Sequence, residues 1–258
     1  MSGPGYAEFP GAIGISELTA YPWPTEDGEH GGSPHMHLTC TEAYVVIGGR
    51  GRLQTLSHAG PSTQELGPGD VVWFTPGTIH RAVNDGGLRV LVVMQNSGLP
   101  EAGDAVMTFP TEYLDAEHYS AAASLLDADG NPSEERARHR RDLAVAGFTE
   151  LQRQWELGNH AALDAFHRSA AALVAPRLTE WRRLIEDGAA ATAATALDQI
   201  ESLRAADTSH LELATVHRIA SPARTTLGMC GFLQAYDPMR RLGRTSGETP
   251  RFSSGAEA

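Results

Sequence analysis

The sequence contains no lysine, so every one of its 20 basic residues is an arginine. Such one-sided usage is typical of a GC-rich bacterial genome and carries no functional signal of its own. Acidic residues number 32, which gives a formal net charge of −12 at pH 7. Polyanions repel a chain with this balance of charge, so we expect neither a nucleic acid nor an anionic membrane surface as a partner.

Cysteine and long apolar runs are also scarce. The two cysteines, Cys40 and Cys230, lie far apart, which favours a reducing, cytoplasmic compartment over a disulfide-stapled secreted domain. No uncharged apolar run is long enough to predict a membrane-spanning helix. Residues 1–9 lack the basic and apolar regions of a signal peptide. The length of 258 residues suits one large domain or two modest ones, with ample apolar surface for a core.

The first half of the chain carries the pattern of short strands. Residues 42–47 and 52–56 flank a glycine-dense turn, which predicts a β-hairpin. Further short strands, divided by Gly/Pro turns and without a helical period, are predicted at 71–74, 80–84 and 89–95. Evenly spaced short strands of this kind indicate a sandwich or a barrel. Because no internal repeat is visible, we expect a single barrel.

Histidines and one carboxylate within this half suggest a metal site. On a strand, His35 and His37 project to the same face because they are two residues apart. Glu42 is an odd number of residues from His37, so the strand must break within 38–41 if Glu42 is to join the histidines. A Pro-Gly turn delivers a third histidine, His80. Three imidazoles and one carboxylate suit one divalent transition metal (Fe, Mn, Zn, Ni or Co) and leave coordination positions open.

These residues resemble the two sequence motifs of the cupin superfamily. The first motif is represented by His35, His37, Glu42 and Gly49. The second is represented by Gly69, residues 76–80 and Asn84, with one residue more than usual before Pro76. The 19-residue spacer between them is similar to that of compact bacterial single-barrel cupins. The resemblance covers about residues 10–97. It implies a double-stranded β-helix barrel in residues 1–112, with the metal bound by His35, His37, Glu42 and His80.

Around this metal we expect a small substrate pocket. Tyr44 is a candidate acid, base or hydrogen-bond donor, and its alternative role is a packed aromatic of the barrel. The other predicted pocket residues are Gln54, Trp73, Asn84 and Met94. Arg81 alternates with His80 along the same strand, so we expect it on the opposite face, at solvent or at an interface.

The second half of the chain, residues 113–242, is predicted to be mostly helical and to pack on the barrel or at a dimer interface. Apolar residues repeat at helical spacing at Ala144, Phe148, Leu151 and Trp155. Asn159 is the predicted N-cap of the next helix, and residues 208–219 are a candidate last helix. Residues 227–236 are apolar and glycine-bearing, and are predicted to return to the barrel as a strand. Residues 243–258 are predicted to be a disordered tail. The fold class is therefore α+β.

A second group of possible ligands lies within this helical half. His160, Asp164 and His167 share one helix face, which permits a second metal site. A solvated polar face is the favoured interpretation, because no fourth ligand is visible in the sequence.

An open metal site in a barrel poor in arginine predicts a metal-dependent enzyme. The simplest reaction is isomerisation or epimerisation of a small, neutral, oxygen-rich, sugar-like molecule. The same ligands serve an Fe(II) dioxygenase acting on a small organic substrate. A third alternative is a non-catalytic small-molecule-binding cupin or sensor. A DNA-binding regulator is disfavoured, since the helical half has no basic face. We expect a homodimer.

Overall fold

The computed structural model describes residues 9–222 and 224–236. Within these ranges the sheet is built from β1 (Gly14–Ala20), β2 (His35–His37), β3 (Glu42–Ser57), β4 (Gly60–Leu66), β5 (Val71–Phe74), β6 (Ile79–Met94), β7 (Ala105–Met107), β8 (Thr226–Leu227) and β9 (Gly231–Tyr236). The helices are α1 (Ala116–Ala123), α2 (Glu134–Glu156), α3 (Ala161–Val174), α4 (Leu178–Ile185) and α5 (Ala191–Arg204). Barrel and helices follow one another along the chain, which gives the predicted α+β class.

Two long strands form the frame of the barrel. β3 and β6 have 16 residues each and run antiparallel along their whole length. Their register shifts near Arg50, where two residues of β6, Gly86 and Gly87, face it. At this bend Gly49 has a φ of +69°, and a Cβ there would lie 2.0 Å from the carbonyl oxygen of Gly87. Only glycine fits this crossing. The bend lets each long strand contribute one half to each wall of the barrel.

The remaining strands complete the two walls. The first half of β3 and the second half of β6 are flanked by β5 and β1. The second half of β3 and the first half of β6 are flanked by β4 and β2. β7 pairs with β2 at the edge. β9 pairs with β1 over residues 231–236, so the predicted return of this segment to the barrel is confirmed. The barrel sheet therefore extends beyond residues 1–112.

The helices pack on the barrel from outside. Ser133 caps α2 by accepting a hydrogen bond from the backbone N–H of Arg136, as a serine after a proline favours. Buried side chains of α3 recur at three- and four-residue spacing: Leu163, Phe166, Ala170 and Val174. These side chains belong to the same apolar core as Leu53 and Leu56 of β3. None of the described helices is both long and apolar enough to cross a membrane.

Three expectations about the helical half need correction or fall outside the described chain. His160, not Asn159, is the N-cap of α3, because the Asn159 side chain bonds Gln154 at the end of the previous helix. Residues 208–219 contain only the short 3₁₀ turn Ser209–Leu213, since their apolar side chains find no core to pack against. The predicted tail at 243–258 lies outside the described residues.

Gly147 sets the distance between α2 and the barrel. A Cβ at this position would lie 2.0 Å from the carbonyl oxygen of Thr108. Alanine normally favours a helix over glycine by about 1 kcal/mol, but this backbone clash outweighs that gain. We expect Gly147→Ala to destabilise the protein by about 1–3 kcal/mol in chemical denaturation. Ala146 is exposed, so Ala146→Gly tests helix propensity alone and should lower the free energy of unfolding by about 1 kcal/mol. Stabilisation by Gly147→Ala would contradict the close packing.

Candidate metal centre

Four side chains from three strands converge inside the barrel. His35 and His80 lie directly opposite each other across the β2–β6 pair. β2 ends at His37 and β3 begins at Glu42, so the strand breaks within 38–41 as the spacing predicts. The potential ligand atoms of His35, His37, Glu42 and His80 all lie within 4.8 Å of one another, and all four residues are buried. The structure thus brings together the predicted set.

Each histidine is oriented by a hydrogen bond to its Nδ1 atom. The Nδ1 of His35 lies 2.9 Å from the carbonyl oxygen of Ser33. The Nδ1 of His80 lies 3.2 Å from that of Thr78. Because a carbonyl only accepts, these Nδ1 atoms carry the proton and donate. The lone pair then sits on Nε2, which is the arrangement that metal-binding histidines adopt.

His37 is oriented by a carboxylate that the sequence did not identify. Asp104 is fully buried, and its Oδ2 lies 3.0 Å from the Nδ1 of His37. It also accepts hydrogen bonds from the backbone N–H groups of Thr39 and Cys40, at 2.8 and 3.1 Å. Asp104 therefore holds both the imidazole and the corner that turns Glu42 inward. Its only sequence signal was an acidic residue directly before an apolar strand.

Two atoms at the centre have no hydrogen-bond partner within the described chain. The Oε2 of Glu42 lies 3.1 Å from the Nε2 of His37 and 3.2 Å from that of His80. Yet Glu42 Oε2 and His80 Nε2 are both buried without a hydrogen bond of acceptable geometry. Buried polar atoms are almost always satisfied, and an unpaired one costs about 1–3 kcal/mol. A metal ion at the common centre of these atoms would replace the poorly aligned contacts between Glu42 and the two imidazoles.

The charges of the site favour a cation at its centre. Burial acts to raise the pKa of Glu42, but the neighbouring His37 and His80 outweigh it and hold the pKa well below its usual range. Burial, followed by repulsion from His80 and His37, lowers the pKa of His35 far below its usual value. Burial also acts to lower the pKa of His37, but the carboxylates of Asp104 and Glu42 raise it to about 9. Without metal, His37 therefore carries a proton at neutral pH.

This proton predicts the pH dependence of metal binding. A metal must displace the proton of His37, whose pKa of about 9 lies above neutral pH. Affinity should therefore rise about tenfold per pH unit between pH 7 and 9, and then level off. Calorimetric titration in two buffers of different ionisation enthalpy should detect about one proton released per metal at pH 7.5. Binding without proton release would contradict this protonation state.

Three of the four converging side chains, those of His35, His37 and Glu42, line a cavity of about 530 Å³. Its lining also includes residues of β1 and β9 and of the segments 97–101 and 228–230. Apolar side chains dominate the lining, among them Ile15, Leu18, Val92 and Leu233. No arginine lies among the lining residues, and none of them belongs to α1–α5. In the described chain the helices therefore support the barrel from outside and do not shape the cavity.

Part of this barrel matches a known protein family. The family model described as "Cupin domain" matches residues 25–94, which contain all four converging side chains. Residues 25–94 form a cupin domain. The helices lie outside the matched region. No curated protein matches the chain.

Solved structures resemble parts of the cupin barrel. The DMSP lyase DddQ from Ruegeria pomeroyi DSS-3 is 22% identical with a TM-score of 0.30, over 38% of this chain and 44% of its own. The QdtA 3,4-ketoisomerase from Thermoanaerobacterium thermosaccharolyticum is 16% identical with a TM-score of 0.29, over 36% of this chain and 63% of its own. A predicted oxalate decarboxylase from Thermotoga maritima is 20% identical with a TM-score of 0.25, over 31% and 64%. The chain thus spans less than two thirds of each of them.

The residues predicted to line the substrate pocket divide into two groups. Tyr44 and Met94 do line the cavity. The prediction was wrong for Gln54, Trp73 and Asn84, which are absent from its lining.

Strand pairing explains these three errors. Trp73 is 69% exposed, because β5 turns its neighbour Phe74 inward opposite Glu42. Gln54 pairs with Arg81 on the outer face of the cupin barrel. Asn84 has a structural role, because its amide donates a hydrogen bond to the carbonyl oxygen of Ala20 at 2.9 Å. Its oxygen accepts from two backbone N–H groups at the β6 bend.

Arg81 also differs from its expected position. It does lie on the face opposite His80, but it is 1% exposed and is not at solvent. The segment before β2 covers it, with Arg81 donating to the side chains of Thr25 and Asp27. An arginine in this position is buried by pairing, which a strand pattern alone does not reveal.

Cys230 is a residue of the site that sequence reasoning missed. It is buried on the turn before β9, and its Sγ lies 3.8 Å from the Nδ1 of His35. The Tyr44 hydroxyl donates to the same sulfur at 3.9 Å. Burial is the main cause that raises the pKa of the Cys230 thiol to about 12. Cys230 therefore stays a neutral thiol beside the centre of the cupin barrel.

Proposed function

We propose that this protein is a metal-dependent enzyme that acts on a small uncharged molecule held in the cavity. One observation carries the proposal. Glu42 Oε2 and His80 Nε2 are buried without hydrogen-bond partners in the described chain, and Glu42 lines a cavity of about 530 Å³ together with His35 and His37. A purely structural cluster would satisfy these atoms. A site of this size is that of a small-molecule pocket.

His35, His37, Glu42 and His80 would hold one divalent ion such as Fe, Mn, Zn, Ni or Co through three imidazole nitrogens and a carboxylate. When bound, the ion would polarise a carbonyl or hydroxyl oxygen of the substrate. A substrate oxygen would approach from the cavity, which His35, His37 and Glu42 line.

Tyr44 is the residue best placed to exchange a hydrogen bond with such an oxygen. It lines the cavity, and burial holds the pKa of its phenol well above the usual range. The phenol therefore stays protonated at neutral pH and acts as a hydrogen-bond donor or acid, not as a base. Its present acceptor is the sulfur of Cys230 at 3.9 Å, a weak acceptor that a substrate oxygen can replace.

The lining of the cavity limits the class of substrate that we expect. Outside the centre, hydroxyl groups are supplied by Ser16, Ser97, Tyr44 and Tyr236 and one carboxylate by Glu101, whereas the rest of the lining is mainly apolar. A fully hydroxylated sugar would lose hydrogen bonds to water that this wall cannot replace. We infer a substrate with an oxygen-bearing head at the centre and a largely apolar body. Isomerisation or epimerisation next to that oxygen is the simplest reaction for such a pocket.

An Fe(II) dioxygenase is the second candidate, and the apolar lining favours it. Such a wall suits an organic substrate with a largely apolar body. The two candidates differ in one measurable property. With iron bound, an oxygenase consumes oxygen in proportion to substrate, whereas an isomerase converts substrate without oxygen.

The test is to purify the protein, determine its metal, and follow oxygen uptake while screening small ketones, hydroxyketones and related alcohols. Iron together with substrate-dependent oxygen consumption would exclude the isomerase. Zinc or manganese with conversion under anaerobic conditions would exclude the oxygenase. A protein that binds metal and ligand but converts none of them would be the non-catalytic cupin. The predicted homodimer and cytoplasmic location remain predictions.

Replacing Tyr44 by phenylalanine removes only the hydroxyl group of the proposed acid. We expect the turnover number to fall about 10²–10⁴-fold, as for loss of a general acid, while metal content stays unchanged. The phenylalanine ring keeps the edge-on contact of Tyr44 with Phe74, whose ring centroids are 5.3 Å apart. Tyr113→Phe, which removes the hydroxyl of a tyrosine that does not line the cavity, is the matched control and should retain turnover. Full activity in Tyr44→Phe would show that Tyr44 only packs the barrel.

A further inference from the structure

A second group of ligand-type side chains lies where the helices meet the barrel. His58, Asp164 and His167 offer one potential ligand atom each, and these atoms lie within 4.8 Å of one another. His58 comes from the turn between β3 and β4, whereas Asp164 and His167 are one turn apart on α3. The sequence pattern pointed to Asp164 and His167 together with His160. The structure turns His160 onto the Trp155 ring, at 3.9 Å between centroids, and brings His58 in its place.

The turn that carries His58 is held against the helices. A Cβ at Gly60, two residues later, would lie 3.2 Å from the Nε1 of Trp155 on α2. This close approach places the β3–β4 turn against α2. Tertiary packing therefore brings His58 near α3.

One donor–donor distance within the cluster is close to that around a tetrahedral ion. Zn–N bonds of about 2.0–2.1 Å place neighbouring donors of a tetrahedron about 3.4 Å apart. The Nε2 of His58 and the Oδ1 of Asp164 are 3.5 Å apart. The two imidazole rings meet edge to face, with centroids 5.3 Å apart.

One nitrogen of the cluster is buried without a hydrogen bond that meets the usual geometry. The Nε2 of His167 is shielded from solvent and has no hydrogen-bond partner within the described ranges. A shielded nitrogen without a partner is costly for a merely structural histidine, and it is available as a ligand.

We propose that His58, Asp164 and His167 form a second metal site, which binds Zn²⁺ or a similar divalent ion and clamps α3 to the β3–β4 turn. Two imidazoles and a carboxylate are ligands that zinc accepts, with water in the fourth position. The side chains of His58 and Asp164 are 61% and 49% exposed, so an ion can enter from solvent. The site differs from the barrel centre in exposure and shares no residue with it.

The test uses metal-free protein titrated with ZnCl₂ by calorimetry, together with thermal unfolding. Wild-type protein should bind two equivalents. His58→Ala and His167→Ala should each bind one and lose the rise in unfolding temperature that the second equivalent causes. Asp164→Asn should weaken that equivalent, because a neutral amide is a poorer ligand than a carboxylate. Since His58 lies on an exposed turn, its substitution should leave the fold intact, which circular dichroism checks.

His118→Ala is the matched control. His118 is also exposed and contacts a carboxylate, that of Asp115 at 2.8 Å, but it is not part of a ligand cluster in the described chain. It should keep two equivalents. Two equivalents in His58→Ala and His167→Ala would overturn the proposal, as would a single wild-type equivalent that His80→Ala removes. A single equivalent that His58→Ala removes and His80→Ala retains would support this site while contradicting the barrel metal.

Discussion

Replacing His80 by alanine should abolish stoichiometric metal binding in the barrel. His80 is fully buried, and its Nε2 is one of the two central atoms without a hydrogen-bond partner in the described residues. Removal of one of four ligands should weaken binding by more than the roughly 10–100-fold that follows loss of an outer hydrogen-bond partner. We expect metal content to fall from about one ion per barrel to a trace after dialysis, and turnover to fall with it.

The experiment is best done in a His58→Ala background, so that ions bound to the second cluster do not enter the count. Metal is measured by mass spectrometry of dialysed protein, and near-ultraviolet circular dichroism reports whether the core is intact. His30→Ala is the control. It should retain the metal, because His30 is exposed and is not one of the four converging residues. Full occupancy in His80→Ala would refute the set of four ligands.

Replacing Asp104 by asparagine should weaken metal binding without removing a ligand. The carboxylate of Asp104 lies 3.0 Å from the Nδ1 of His37 and accepts two backbone N–H groups from the corner at 38–41. An amide retains one acceptor oxygen but turns an NH₂ group towards a donor, which breaks at least one of these bonds. We expect metal affinity to fall about 10–100-fold, as it does for other partners of metal-bound histidines. The free energy of unfolding should fall by about 1–3 kcal/mol.

The pH dependence of binding separates this role from simple loss of stability. Asp104 is a main cause of the raised pKa of His37, which is about 9 in the metal-free protein. Without this charge the pKa of His37 falls, so fewer protons are released per metal ion bound at pH 7.5. Asp70→Asn is the control, since Asp70 also accepts a backbone N–H, from Gly67 at 2.7 Å, but in an exposed turn. An unchanged proton release in Asp104→Asn would show that Asp104 only stabilises the corner.

The four-residue centre was predictable because its members are placed by local rules. Residues two apart share a face of a strand, so His35 and His37 had to point the same way. The odd spacing to Glu42 required a break, and β2 and β3 are indeed separate strands. The pattern of turns predicted the barrel, and the spacing of apolar residues predicted the helices α2 and α3. These are short-range properties of the chain, and a single sequence contains them in full.

Contacts between distant segments were not predictable. Asp104 lies 67 residues from His37, and Cys230 lies 195 residues from His35. Trp73 was placed in the pocket, although pairing of β5 with β3 turns it to solvent. Each of these depends on strand register and on loop paths, which no local spacing encodes.

The sequence by itself thus determined the ligand types, the face on which they lie and the need for a break before Glu42. Only the tertiary structure decided which groups orient those side chains, which residues line the cavity, and that His58 meets Asp164 and His167. The physical reason is the separation along the chain over which each effect acts. Side-chain direction follows from backbone geometry over a few residues. A buried site with satisfied partners requires segments more than 60 residues apart to fold against one another.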